Sequence, residues 1–191
     1  VCELGVGPVR PRHDESEGRV VAAALGALTV TGVLLRAAQT DIARFTIPNI
    51  LSIALIGSFL ALAPFLGLGW AGFGGHILVG VAAFLVCIAL FSFGLYGGGD
   101  AKLTPAVMVW LGPAAAPHFL FVMVVAGGVL ALILLVARRV ARGRIRNLRP
   151  FWLRRMLRVK RGIPYGVAIA IGGLAALPSA LWFSPLTNLL R

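Results

Sequence analysis

Apolar residues in this chain come in long blocks, and polar residues are confined to the gaps between them. The first block is Val20 to about Ala38, closed by Arg36, Gln39 and Asp41. The second is Ile47 to about Leu68, with Pro48 suited to a first helical turn. A third runs from about Gly75 to Tyr96. Gly97-Gly98-Gly99-Asp100 then breaks the pattern before a shorter block, about Ala101 to Ala116, that holds Pro105 and Pro113. The fifth is Pro117 to Ala137, and the sixth is Ile163 to Phe183, ending near Pro185. A bilayer crossing takes about 20 mostly apolar residues, so the pattern predicts an all-α, polytopic membrane bundle of about six transmembrane helices over residues 20–185. Residues 1–19 are polar and read as a disordered external tail, and residues 186–191 as a short external one.

Composition excludes a soluble monomer. The chain is 59% hydrophobic and 13% charged, whereas soluble domains carry roughly 45–50% apolar and about 25% charged residues. The two cysteines, Cys2 and Cys87, are far apart and form neither a disulfide framework nor a CxxC metal pair. Eleven of the 18 basic residues lie between Arg138 and Arg161. In a soluble protein such a run suggests nucleic acid. Between two apolar blocks it reads as a cytoplasmic loop, 138–162, lying against anionic lipid, with no nucleic-acid partner. Alternation then places Arg36, Arg44 and Lys102 inside and both termini outside.

The acids follow another rule. Glu3, Asp14, Glu15 and Glu17 sit in the first nineteen residues, and only Asp41 and Asp100 follow. Alternation puts both on the cytoplasmic side, at a membrane boundary. Each precedes an apolar block, so an N-cap is one reading. The other is chemical, since a carboxylate at the edge of a membrane bundle is costly unless it is paired or used. Two such groups brought close can share a proton, one acting as general base on water and the other as acid toward a carbonyl. An ordinary Asp, with pKa about 3.9, is protonated only about one time in a thousand near pH 7, so the pair would have to hold a proton together. Gly97, Gly98 and Gly99 lack Cβ atoms, which permits positive φ and an extended backbone for a peptide to dock on; an ordinary turn is the plainer reading.

Gly97-Gly98-Gly99-Asp100-Ala101-Lys102-Leu103 resembles the GxGD signature of intramembrane aspartyl peptidases, in the GxGDxKL form of the type IV prepilin peptidases. Asp41-Ile42-Ala43-Arg44, continuing to Ile47-Pro48-Asn49, resembles that family's first-aspartate motif. Ile163-Pro164-Tyr165-Gly166, with Ala168 and Ala170, resembles its final-helix motif, and Trp110-Leu111-Gly112 is also similar. The length resembles the short branch serving tight-adherence (Flp) pili. The resemblance implies a multi-pass protein of the bacterial inner membrane that cleaves prepilin or pseudopilin leaders on the cytoplasmic face, with Asp41 and Asp100 catalytic. No cofactor is expected, and no metal either, since His76 and His118 are separated and lack the carboxylate neighbours of a zinc site. The paired CxxC motifs of larger, methylating relatives are absent.

Gly97, Gly98, Gly99, Lys102, Arg44, Pro48 and Asn49 are expected to shape the site or bind substrate. Lys102 and Arg44 suit either an aspartate charge or a lipid phosphate, and Asn49 suits either an interhelical hydrogen bond or the Pro48 helix entrance. His76, one turn from Gly80, reads as a close helix contact, and His118 lies on the same outer side, away from the acids. Gly166, Ala168, Ala170, Gly172 and Gly173 form a small-residue packing face. Trp70, Trp110, Trp152 and Trp182 read as interfacial anchors. Two other functions stay open: a proton-coupled carrier that uses the same acids as a relay, and a non-enzymatic pilus-assembly subunit that keeps the fold and binds prepilin without cutting it.

Overall fold

The computed structural model describes residues 13–140 and 163–189. Its helices are α1 (His13–Arg44), α2 (Asn49–Leu62, continued by a 3-10 turn, Ala63–Phe65), α3 (Gly69–Ser92), α4 (Asp100–Val140), α5 (Tyr165–Ala176) and α6 (Ser184–Leu189). Between α5 and α6 lie two 3-10 turns, Leu177–Ser179 and Leu181–Phe183. Three stretches are long and apolar enough to cross a bilayer: Glu17–Arg44, Gly69–Ser92 and Asp100–Val140. The pair Tyr165–Ser179 and Leu181–Asn188, bent by 62°, brings the number to as many as four. Asn49–Phe65 is apolar but shorter.

α4 is two helices joined at Gly112, whose φ of 68° and ψ of −178° are not helical. A continuous helix would carry residue 127 about 40 Å from Asp100. Instead Gly127 lies under the Tyr165 ring, which packs on Tyr96 beside the start of α4. The chain therefore folds back at Gly112, earlier than the break expected between Ala116 and Pro117. Pro113 explains the position. It has no N–H to give the carbonyl of Val109 one turn back, and that carbonyl instead accepts a 2.7 Å hydrogen bond from His76 Nδ1 of α3. The next carbonyl, of Trp110, accepts the indole N–H of Trp182. Trp110 in turn donates its indole N–H to the Leu55 carbonyl of α2 at 2.7 Å. Phe59 stacks on His76 and meets Trp110 edge-on.

The first half of α4, the shortest apolar block, is the most central element: every side chain from Leu103 to Leu111 is buried. α5 packs through the expected small-residue face, with Gly166, Ala168, Ala170, Gly172 and Gly173 all buried; Gly173 meets Val107 of that half and Leu34 of α1, and Gly172 meets Phe119 and Met123 of the second half.

Several expectations change. Residues 13–19, assigned to the tail, belong to α1, while residues 1–12 lie outside the described residues, as does the basic loop beyond Val140. Trp110 and Trp182 are core residues at 0% and 2% exposure rather than interfacial anchors. Their indole N–H groups are used inside the bundle, so no headgroup region is needed to satisfy them. Trp70, 91% exposed, suits the interfacial reading, and Trp152 lies outside the described residues.

Candidate active site

Asp41 stands in the last turn of α1, not ahead of α2. An acid there faces the negative end of the helix dipole, unfavourable by about 0.3–1 kcal/mol, so capping of its own neighbourhood does not account for it. Its partner comes from the other end of the chain. The N–H of Gly166 donates to Asp41 Oδ2 at 2.6 Å. Gly166 is in the first turn of α5, where backbone N–H groups have no partner within the helix, and Pro164 sets the start of that turn. A Cβ on Gly166 would lie 2.9 Å from the same carboxylate oxygen. Only a bare backbone reaches an Asp that is 6% exposed.

Asp100 opens α4, where the dipole favours an acid. The glycine run before it is a turn, the plainer of its two readings, and not an extended strand. Gly97 O accepts the Ala101 N–H at 2.9 Å and Gly99 O accepts that of Leu103 at 3.0 Å. None of the three glycines has a positive φ; their role is close approach. A Cβ on Gly97 would lie 2.5 Å from Asp100 Oδ2, and one on Gly99 would lie 3.0 Å from Ile47. The latter contact seats the start of α4 on the α1–α2 link. Beside it, Lys102 Nζ donates to Asn49 Oδ1 at 3.2 Å.

Asp41, Gly97 and Asp100 line one cavity of about 1090 Å³. Its remaining wall is mostly apolar. Val79, Val86, Cys87 and Leu90 come from α3, and Met108, Pro113, Pro117 and Met123 from the two halves of α4. The cavity thus follows the α4 hairpin from the carboxylates toward the Gly112 turn. Leu95, Val86 and Val124, also in its wall, are 73%, 59% and 58% exposed, so it opens on the lateral, apolar surface of the bundle.

Three aromatic residues share the acidic end. Tyr96 and Tyr165 meet edge to face with ring centres 5.6 Å apart, and the Tyr96 hydroxyl hydrogen-bonds Thr104 Oγ1 at 2.8 Å. Burial pushes the Tyr96 phenol above its ordinary range, so it keeps its proton throughout neutral pH. Phe45 ends α1 in the left-handed region, with φ 56°, where a side chain costs about 1–2 kcal/mol.

Of the residues singled out in sequence, Asp41, Asp100 and Gly97 line the cavity. Gly98 packs on Phe91, Gly99 on Ile47, and Lys102 on Asn49. Arg44, Pro48, Asn49, Gly98, Gly99 and Lys102 are not among the cavity-lining residues. Sequence reasoning assigned Gly166 to packing alone and missed its N–H. It also passed over Tyr96 and Tyr165, although Tyr96 adjoins the glycine run and Tyr165 lies within the quoted Ile163–Gly166 segment. Nothing local pointed to Phe45. Among the described residues no three His, Cys, Asp or Glu side chains gather where they could hold a metal ion.

A family model, the type IV leader peptidase family, matches residues 28–132, which include both carboxylates and the glycine turn. No curated protein and no solved structure matches the chain.

Proposed function

Because the chain belongs to the type IV leader peptidase family, and is thus an aspartic-type endopeptidase of the inner membrane held there by several apolar helices, we propose that Asp41 and Asp100 are its catalytic pair. One observation carries this: the two acids that follow residue 17, far apart in sequence, line the same mostly apolar cavity. The substrate proposed is a prepilin of the Flp class. Its leader is removed beside the carboxylates while the apolar helix that follows lies in the cavity along the α4 hairpin. From Asp100 to Pro113 that slot runs about 18–20 Å, matching about twelve helical residues.

In the proposed reaction one carboxylate takes a proton from water as the water attacks the scissile carbonyl, and the other, protonated, donates to the carbonyl oxygen. Collapse of the tetrahedral intermediate breaks the C–N bond, and the leaving amine takes up a proton from the pair. Asp41 is taken as the base in this scheme, because the Gly166 N–H fixes its Oδ2 and a donor aimed at a carboxylate suits its ionised form. Since the two carboxyls titrate as a unit, turnover falls at both low and high pH, and the two limbs belong to the pair.

We read the topology as six crossings, with the α4 hairpin supplying two and α2 a short one. The acids face the cytoplasm, on the side of Arg36, Arg44, Lys102 and the 138–162 loop, whose basic residues lie against anionic lipid. Purified protein incubated with prepilin in detergent, followed by N-terminal sequencing of the product, tests the activity. Cleavage without any ion gradient excludes a carrier role, and binding without cleavage reduces the protein to an assembly subunit.

A further inference from the structure

The end of α1 holds a side chain where the backbone favours none. The Phe45 N–H closes the helix on the Asp41 carbonyl at 2.8 Å, the geometry in which the terminal residue turns left-handed and is usually glycine or asparagine. Phe45 has that conformation, at φ 56°, yet carries a bulky ring. A glycine would close the helix equally well and without strain. Strain kept at a bulky residue is informative when the side chain does something the backbone does not need. Here Phe45 forms part of the cavity wall, together with Asp41, Tyr96 and Tyr165. It follows Asp41 by one helical turn, so it borders the position where a peptide bond must lie to be attacked.

We infer that Phe45 contacts the substrate side chain flanking the scissile bond and makes the enzyme prefer an apolar residue there. The inference rests on the reading of Asp41 and Asp100 as the catalytic pair, and it adds a specificity-determining residue to that site. The aromatic ring and the apolar wall around it favour burial of an aliphatic or aromatic substrate side chain and leave a polar one unpaired.

The test uses the full-length protein in detergent and a panel of prepilins carrying Ala, Leu, Phe, Ser or Asn on either side of the cut. kcat/KM is measured for wild type, Phe45→Gly, Phe45→Asn and Phe45→Leu, with Asp41→Asn as reference and thermal unfolding recorded for each. In Phe45→Gly and Phe45→Asn the preference for apolar over polar residues falls roughly tenfold, while the unfolding temperature holds or rises as the strain is released. Phe45→Leu keeps the strain and most of the preference but changes which apolar residue is best. If all variants rank the substrates as wild type does, whatever their overall rates, the ring serves packing and the inference is overturned. Should Phe45→Gly fail to fold, an unchanged ranking in Phe45→Leu overturns it equally. Cleavage by Asp41→Asn refutes the catalytic pair instead, an outcome that the Phe45 ranking cannot imitate.

Discussion

The two ends of the α4 hairpin treat buried polar groups in opposite ways. At the Gly112 end three polar groups beside the turn are given protein partners: Val109 O takes His76, Trp110 O takes Trp182, and the Trp110 indole takes Leu55 O. Aromatic rings close the remaining space; among the described residues the buried side-chain atoms that meet no partner are His76 Nε2, at this end, and Ser52 Oγ of α2. At the Asp41 and Asp100 end, one carboxylate oxygen receives a single backbone N–H, and both carboxylates line a cavity. The first arrangement removes chemistry by satisfying it. The second keeps chemistry available by leaving acceptors open and holding them with bare backbone.

This contrast predicts that matched substitutions at the two ends separate activity from stability. The largest effect is expected from Asp41→Asn and Asp100→Asn: cleavage of prepilin falls below detection in a sequencing assay, while both proteins insert and unfold at temperatures near wild type. Retained cleavage in either breaks the comparison at its root. Next come two identical changes at opposite ends. Gly166→Ala puts a Cβ against Asp41 Oδ2 and should reduce turnover by at least about 100-fold, the scale of a misplaced catalytic group, with a small change in thermal unfolding. Gly112→Ala forces a side chain into the left-handed region and onto the His76 ring. It should lose about 1–2 kcal/mol from the backbone alone, read by thermal unfolding in detergent, with turnover per folded molecule largely kept.

His76→Ala acts at the same closed end but adds neither backbone strain nor a clash. It strips the partner from the Val109 carbonyl, which should cost about 1–3 kcal/mol without changing the pH–rate profile. A shifted profile would mean that the closed end communicates with the open one. The smallest effect belongs to Lys102→Ala, because the Lys102–Asn49 bond is exposed; stability should stay within about 0.5 kcal/mol of wild type.

How much of this was legible in the sequence follows the same division. Asp41 and Asp100 stood out because an acid in an apolar chain is conspicuous, and the interruptions before Asn49, before Asp100 and ahead of Tyr165 marked helix starts correctly. Facing was much less legible. In a bundle surrounded by lipid, buried and lipid-facing sides are both apolar, so no periodic polar stripe distinguishes them. Trp110 and Trp182 were therefore placed by depth along the chain, although their indoles are satisfied by carbonyls distant in sequence. The fold-back at Gly112 was set too late for a related reason. Pro113 and Pro117 are equally helix-breaking on paper, and only the pairing of Val109 O with His76 shows which one the turn uses. The strain at Phe45 has no sequence signature at all.

The lateral opening of the cavity through Leu95, Val86 and Val124 has a kinetic consequence. A substrate that reaches the acids from the surrounding hydrocarbon is presented by its density in the amphiphile phase, not by its amount per volume of buffer. Adding empty micelles or vesicles at constant enzyme and prepilin should therefore slow cleavage by surface dilution, and the apparent KM has meaning only as a mole fraction of lipid or detergent.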